Sequence, residues 1–87
     1  MILKRAHSFE QDYIRLPEQV QALVEKAIRL LGENPRHPSL RVRKMKGTEE
    51  IWEGRVTRSY RITFNLERNV IILRRVGTHD ILKKETR

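Results

Sequence analysis

Seven basic residues fall between positions 41 and 61: Arg41, Arg43, Lys44, Lys46, Arg55, Arg58 and Arg61. Arg74 and Arg75 follow, and Lys83, Lys84 and Arg87 lie near the C-terminus. A guanidinium is planar and offers paired N–H donors, so arginines gathered on one surface make a phosphate-binding face. The same residues would also serve simply to keep a surface solvated. The pattern around Arg61 favours the first use. Tyr60, Ile62, Phe64 and Leu66 alternate with Ser59, Arg61, Thr63 and Asn65, so Arg61 projects from a strand whose other face is core.

Two further residues can carry protons. His79 follows Gly77-Thr78 and precedes Asp80. A histidine at a strand end, beside arginines, suits general acid or base work near neutral pH; it also fits an exposed loop residue with no role. Glu53 shares a strand face with Arg55 and is either a general base held among cations or an ion-pair partner that orients Arg55. Trp52 is a core or rim residue, or else a platform on which a base stacks. His7 and His37 read as junction and loop residues. No Gly-rich phosphate loop, HExxH or nucleophile elbow is present.

The elements that must position these groups are legible from periodicity. Residues 2–6 read as a short strand. Ser8 reads as a helix N-cap, and Phe9, Tyr13 and Leu16 recur at helical spacing up to Pro17. Residues 18–31 carry an apolar stripe of Val20, Leu23, Val24, Ala27, Leu30 and Leu31, with Glu25 and Arg29 paired at i, i+4 and Gly32 as the stop. A short strand is possible near residues 40–45. From residue 51 the period becomes two. Residues 51–58 place Ile51, Glu53, Arg55 and Thr57 on one side; residues 60–66 form the next strand; residues 67–69 turn; residues 70–73 are a central apolar run that Val76 continues and Gly77 breaks. Short links favour antiparallel pairing. The reading is one α+β domain over residues 1–87, with two N-terminal helices on one face of a twisted, mainly antiparallel sheet of four to five strands. The opposite face is expected to be free for Arg61, Thr63 and Asn65.

Composition sets the class of partner. The 87 residues carry 19 Lys plus Arg against 11 Asp plus Glu, a formal net charge of +8, which favours polyanions. Cysteine is absent, which excludes disulfides and thiolate chemistry. Three scattered histidines do not suggest a metal site. No apolar run spans a membrane and the N-terminus lacks a secretory signal, so a cytoplasmic location and no membrane partner are expected.

Taken in order, Ser8-Phe9, Leu16-Pro17, Asn34-Pro35, His37-Pro38-Ser39-Leu40, Lys44-Met45-Lys46-Gly47, Ile51-Trp52-Glu53-Gly54-Arg55-Val56, Tyr60-Arg61-Ile62 and Gly77-Thr78-His79-Asp80-Ile81-Leu82 resemble the RelE/ParE superfamily of type II toxin–antitoxin toxins, in particular RelE/YafQ-like mRNA interferases, over essentially the whole chain. The resemblance implies an endoribonuclease that cleaves mRNA on the ribosome and is neutralised by a small acidic antitoxin in a hetero-oligomer. It implies no cofactor and no metal: the substrate's 2′-hydroxyl attacks the adjacent phosphate, leaving a 2′,3′-cyclic phosphate and a 5′-hydroxyl. Motif matching then gives Arg61 the phosphorane, Arg55 a recurrent basic strand position and His79 the general acid; Glu53, which no motif assigns, is taken as the base. Lys44 and Lys46 would hold RNA phosphates, with Arg43, Arg58 and Arg75 in support. Two features depart from the pattern. No aromatic follows Asp80, and Glu53 stands where some RelE-type proteins have a strand lysine. ParE-type relatives, which inhibit DNA gyrase without cutting RNA, and a plain RNA-binding module are the alternative readings.

Overall fold

A computed structural model describes residues 1–48 and 50–85, so Arg87 lies outside the described residues. The order is β1 (Ile2–Arg5), α1 (His7–Ile14), α2 (Glu18–Glu33), a 3-10 turn (Pro38–Leu40), β2 (Arg43–Lys44), β3 (Ile51–Arg55), β4 (Tyr60–Glu67), β5 (Val70–Thr78) and α3 (Ile81–Glu85). The strands form one mixed sheet in the order β1-β5-β4-β3-β2. β2 to β5 pair antiparallel through short links, whereas β1 lies parallel to β5 with most of the chain between them.

The core follows the alternation. Ile62 and Phe64 of β4 and Ile71, Leu73 and Val76 of β5 are buried against Phe9 of α1 and Val24, Ala27, Ile28 and Leu31 of α2. Tyr60 is half-buried, and Leu66 is exposed at the margin of the sheet. The α2 stripe is centred one position away from the expected one: Ile28 is buried and Leu23 is exposed, because positions 24, 27, 28 and 31 share the tighter arc.

Three local expectations are corrected. Ser8 does not cap α1. The helix starts at His7 because the Ala6 N–H donates to Leu73 O at 2.8 Å, carrying the chain straight off the sheet, and Ser8 Oγ donates instead to Arg74 O at 2.7 Å. Gly32 does not end α2, which runs to Glu33 and is capped by Asn34. Gly32 serves close approach: a Cβ there would lie 3.0 Å from Leu3 Cδ1. β3 ends at Arg55, since Val56 and Thr57 N–H groups both turn back to Tyr60 O.

Glu25 pairs with Arg5 rather than with Arg29. Arg5 Nη2 donates to Glu25 Oε1 at 2.6 Å, and its guanidinium lies over the Phe9 and Tyr13 rings at 5.6 and 5.5 Å. The hydrogen bond from Arg5, outweighing partial burial, holds the Glu25 carboxyl below its ordinary 4.5. A carboxyl depressed in the fold stabilises above its unfolded value and loses that contribution as pH falls through the folded one. Both side chains are a third or more exposed, so solvent screens the pair. Glu25→Gln should therefore cost less than about 1 kcal/mol at pH 7 and progressively less as pH falls through the folded value, read by urea denaturation at neutral and acid pH.

The face opposite the helices is not free. α3 lies on it, with Ile81 and Leu82 buried against Met45 and, at the margin, Ile51. Thr63 is fully buried, and Asn65 joins a network in which Arg74 Nη1 donates to its Oδ1 at 2.8 Å. Arg74 also grips Glu85, with Nε donating to Oε2 at 2.7 Å and Nη2 to Oε1 at 3.2 Å. That partner raises the Arg74 pKa above its ordinary value. No described helix is long and apolar enough to cross a membrane.

Candidate functional site

Period two puts residues 53 and 55 on one face of β3, the face away from α1 and α2. Register sets Arg55 opposite Arg61 of β4, and Arg61 opposite Gly77 of β5. Glu53 lies opposite Arg43 on one side and Thr63 on the other. Arg41, Arg43, Glu53, Arg55, Arg61 and His79 together line a cleft of about 180 Å³. A second cleft of about 340 Å³ adjoins it, sharing Arg43, Glu53 and His79 and adding Lys44, Lys46 and Leu82. Residues far apart in sequence thus meet where one sheet face is left uncovered by α3.

Arg61 is the most firmly held of the cations. Its Nη1 donates to the carbonyls of Thr57, Arg58 and Tyr60 at 2.8, 3.0 and 3.2 Å. The β3–β4 turn is itself fixed by Thr57 Oγ1, which accepts the N–H groups of Ser59 and Tyr60, both at 3.1 Å. Nε and Nη2 of Arg61 have no acceptor among the described residues, so one edge of the guanidinium is anchored and the other is available.

Arg55 has no acidic partner among the described residues. Its pKa is pushed below the ordinary arginine value, first by desolvation and then by the positive charges of Arg41, Arg61, Arg58 and Arg43. Four guanidinium groups line the cleft with one carboxylate, and that carboxylate is already engaged: Arg43 Nε donates to Glu53 Oε1 at 2.9 Å. Glu53 is buried, so it orients Arg43 and not Arg55, its alternative role in the sequence reading. An unneutralised cationic concavity of this kind attracts an anion strongly. Among the described residues no three His, Asp or Glu side chains gather as a metal would require.

His79 reaches the cleft through Gly77. A Cβ on Gly77 would lie 2.8 Å from Ile81 Cγ2, so the bare backbone lets α3 settle onto β5 and brings the His79–Asp80 turn against the arginines. His79 is exposed, and its carbonyl accepts the Leu82 N–H at 3.1 Å. Gly77→Ala should displace α3 at a stability cost of roughly 1–3 kcal/mol and loosen His79. The check is thermal melting together with the histidine proton chemical shifts; unchanged values in both would show that the contact is readily accommodated.

Most of the expected site residues therefore converge: Arg43, Glu53, Arg55, Arg61 and His79 in one cleft, Lys44 and Lys46 in the next. Two do not join them. Arg58 lines neither cleft and contributes a backbone carbonyl to Arg61. Arg75 is engaged by α1: its Nε and Nη2 donate to Asp12 Oδ2 and Oδ1 at 2.7 and 3.0 Å. Arg41 was not singled out by the sequence reading, although it stands two residues before Arg43 in the same basic stretch. It occupies the left-handed region, at φ 45° and ψ 46°, where the 3-10 turn ends.

This geometry can be set beside known proteins. No family model matches the chain, and no curated protein matches it. Solved structures do. The chain is similar to YafQ from E. coli strain BL21(DE3), with a TM-score of 0.76 at 15% identity over 92% of this chain and 94% of that one. It is similar to RelE in the RelB–RelE antitoxin–toxin complex from Methanococcus jannaschii, at 0.71 and 21% identity over 97% and 99%. It is similar to the YoeB/ParE toxin from Agrobacterium tumefaciens, at 0.77 and 19% identity over 91% and 99%. The fold is that of the RelE-like toxins. Two helices on one face of a mainly antiparallel sheet are what the sequence reading expects; α3, on the other face, it did not foresee.

Proposed function

We propose that this protein is the toxin of a type II toxin–antitoxin pair and acts as a ribosome-dependent mRNA endoribonuclease in the cytoplasm. The observation that carries the proposal is the pairing of Arg55 with Arg61, both without carboxylate partners among the described residues, in a cleft that also holds His79 and Glu53. Cleavage by the substrate's own 2′-hydroxyl needs cations on the phosphorane, a base and an acid. Arg61 takes the developing phosphorane charge, its guanidinium pre-oriented by the turn carbonyls. Arg55 adds a second cation, Glu53 accepts the 2′-hydroxyl proton, and His79 protonates the leaving 5′-oxygen. Lys44 and Lys46 hold flanking phosphates. Similarity to the toxin of an antitoxin–toxin complex supports an antitoxin partner, and the net charge of +8 favours an acidic one.

The test is induced expression in bacteria of wild type beside an Arg61→Ala/His79→Ala variant, with growth and mRNA 5′ ends followed together. Arrest with new in-frame ends, both lost in the variant, is the expected result. Arrest with intact mRNA and inhibited supercoiling would replace the proposal with a gyrase-directed toxin.

A further inference from the structure

A cavity of about 410 Å³ opens on the helix side of the sheet, across β3 from the arginine cleft, between the segment that follows α2 and strands β3 and β4. Pro35, Pro38, Trp52 and Leu66 give it apolar walls, and Arg36 and Arg41 supply its charge. Its volume is within the range of roughly 300–1,000 Å³ typical of pockets for small organic groups. Trp52 is half-buried, and its indole N–H has no protein acceptor among the described residues. Arg41 lines this cavity and the arginine cleft alike. Its left-handed backbone is unusual for arginine, and its N–H donates to Pro38 O at 3.3 Å, so the turn that shapes the cavity also fixes where Arg41 stands.

We infer that this cavity seats one nucleobase of single-stranded RNA, with the adjoining phosphate on Arg41. The inference rests on the RNA reading of the cleft and adds to it a site for a base. A planar aromatic ring meets an indole and two proline rings, while the charge next to it belongs to the same arginine that faces the scissile region. Base and phosphate are linked within one nucleotide, and here an apolar pocket and an anion site are linked within one side chain. Phosphate contacts carry no sequence information of their own, whereas a base site can select which nucleotide, and so which phosphodiester, is brought to Arg61. Single-stranded RNA is commonly held by stacking on aromatic side chains in this way. The flanking cations make an acidic protein segment the rival occupant.

Trp52 is the only tryptophan in the chain, so intrinsic emission reports on this cavity directly. The probe is a mixed-sequence 2′-O-methyl pentanucleotide, which lacks the attacking hydroxyl. Its binding is followed by anisotropy of a labelled copy, and Trp52 emission is followed with an unlabelled copy. Emission should change in step with binding. An all-abasic pentamer with the same sugar–phosphate backbone should bind about ten- to hundredfold more weakly and leave emission unchanged. Leu66→Asp should weaken the base-bearing oligomer about tenfold without affecting the abasic one, and Arg41→Ala should weaken both. Binding with silent Trp52, or an equal response to the abasic oligomer, would overturn the base site and leave the cleft reading standing. Binding of no oligonucleotide at low salt would overturn both. A response to an acidic amphipathic peptide alone would assign the cavity to a protein.

Discussion

Arg61→Ala is expected to reduce mRNA cleavage on the ribosome by about 10³-fold, the largest effect of any single substitution in the cleft. Removing one preorganised donor from a developing oxyanion typically costs 10²–10³-fold, and an arginine on a phosphoryl transition state is worth more. Arg61 has the attributes that such a donor needs. Three turn carbonyls within 3.2 Å fix its Nη1, so no reorganisation is required as charge develops. Arg61→Lys should recover little of the loss, because a single ammonium cannot hold the turn and present a flat edge to phosphate at once. Single-turnover cleavage of a ribosome-bound mRNA is the readout, with melting temperature as the control. Alanine activity within threefold of wild type would remove Arg61 from the chemistry.

The cleft was legible in the sequence to the extent that alternation determined it. One buried face in residues 60–66 forces Arg61 to the other, and the same period in β3 sends Glu53 and Arg55 to meet it. His79 was found by its place just after the last strand, which runs through Gly77 to Thr78. The reason it lines the cleft, a glycine that lets α3 settle on β5, was not visible, because residues 81–85 are too few to show a helical period. Arg74 and Arg75 were hidden for another reason. Residues 70–73 are apolar on both faces, so they carry no phase. The register slip between Thr63 and Phe64, which makes Arg74 an extra residue in β5, left no mark in the run. Arg41 was counted among the bases but not chosen, since a left-handed residue with a side chain has no sequence signature comparable to that of glycine.

Asp12→Ala is expected to be the most destabilising change to a single polar residue, at about 3 kcal/mol. β1 pairs with β5 only as far as Leu73, which leaves the remaining edge of β5 in need of partners. α1 lies along that edge and satisfies it. Asp12 accepts the Val76 N–H at 3.1 Å as well as both donors of Arg75, with side-chain exposures of 13% for Asp12 and 25% for Arg75. Removing the carboxylate leaves a backbone N–H and a guanidinium short of acceptors in a place that water reaches poorly, which costs more than the pair contributes. For a domain of this size about 3 kcal/mol lowers Tm by roughly 12–24 °C. Asp12→Asn keeps an oxygen for Val76 and should cost less, and a double-mutant cycle with Arg75→Ala should show a coupling energy of at least about 1 kcal/mol. Arg75→Ala should destabilise the fold while leaving cleavage per folded molecule unchanged, in contrast to Arg61→Ala. A cleavage loss from Arg75→Ala, with Tm unmoved, would mean that Arg75 leaves Asp12 to bind RNA.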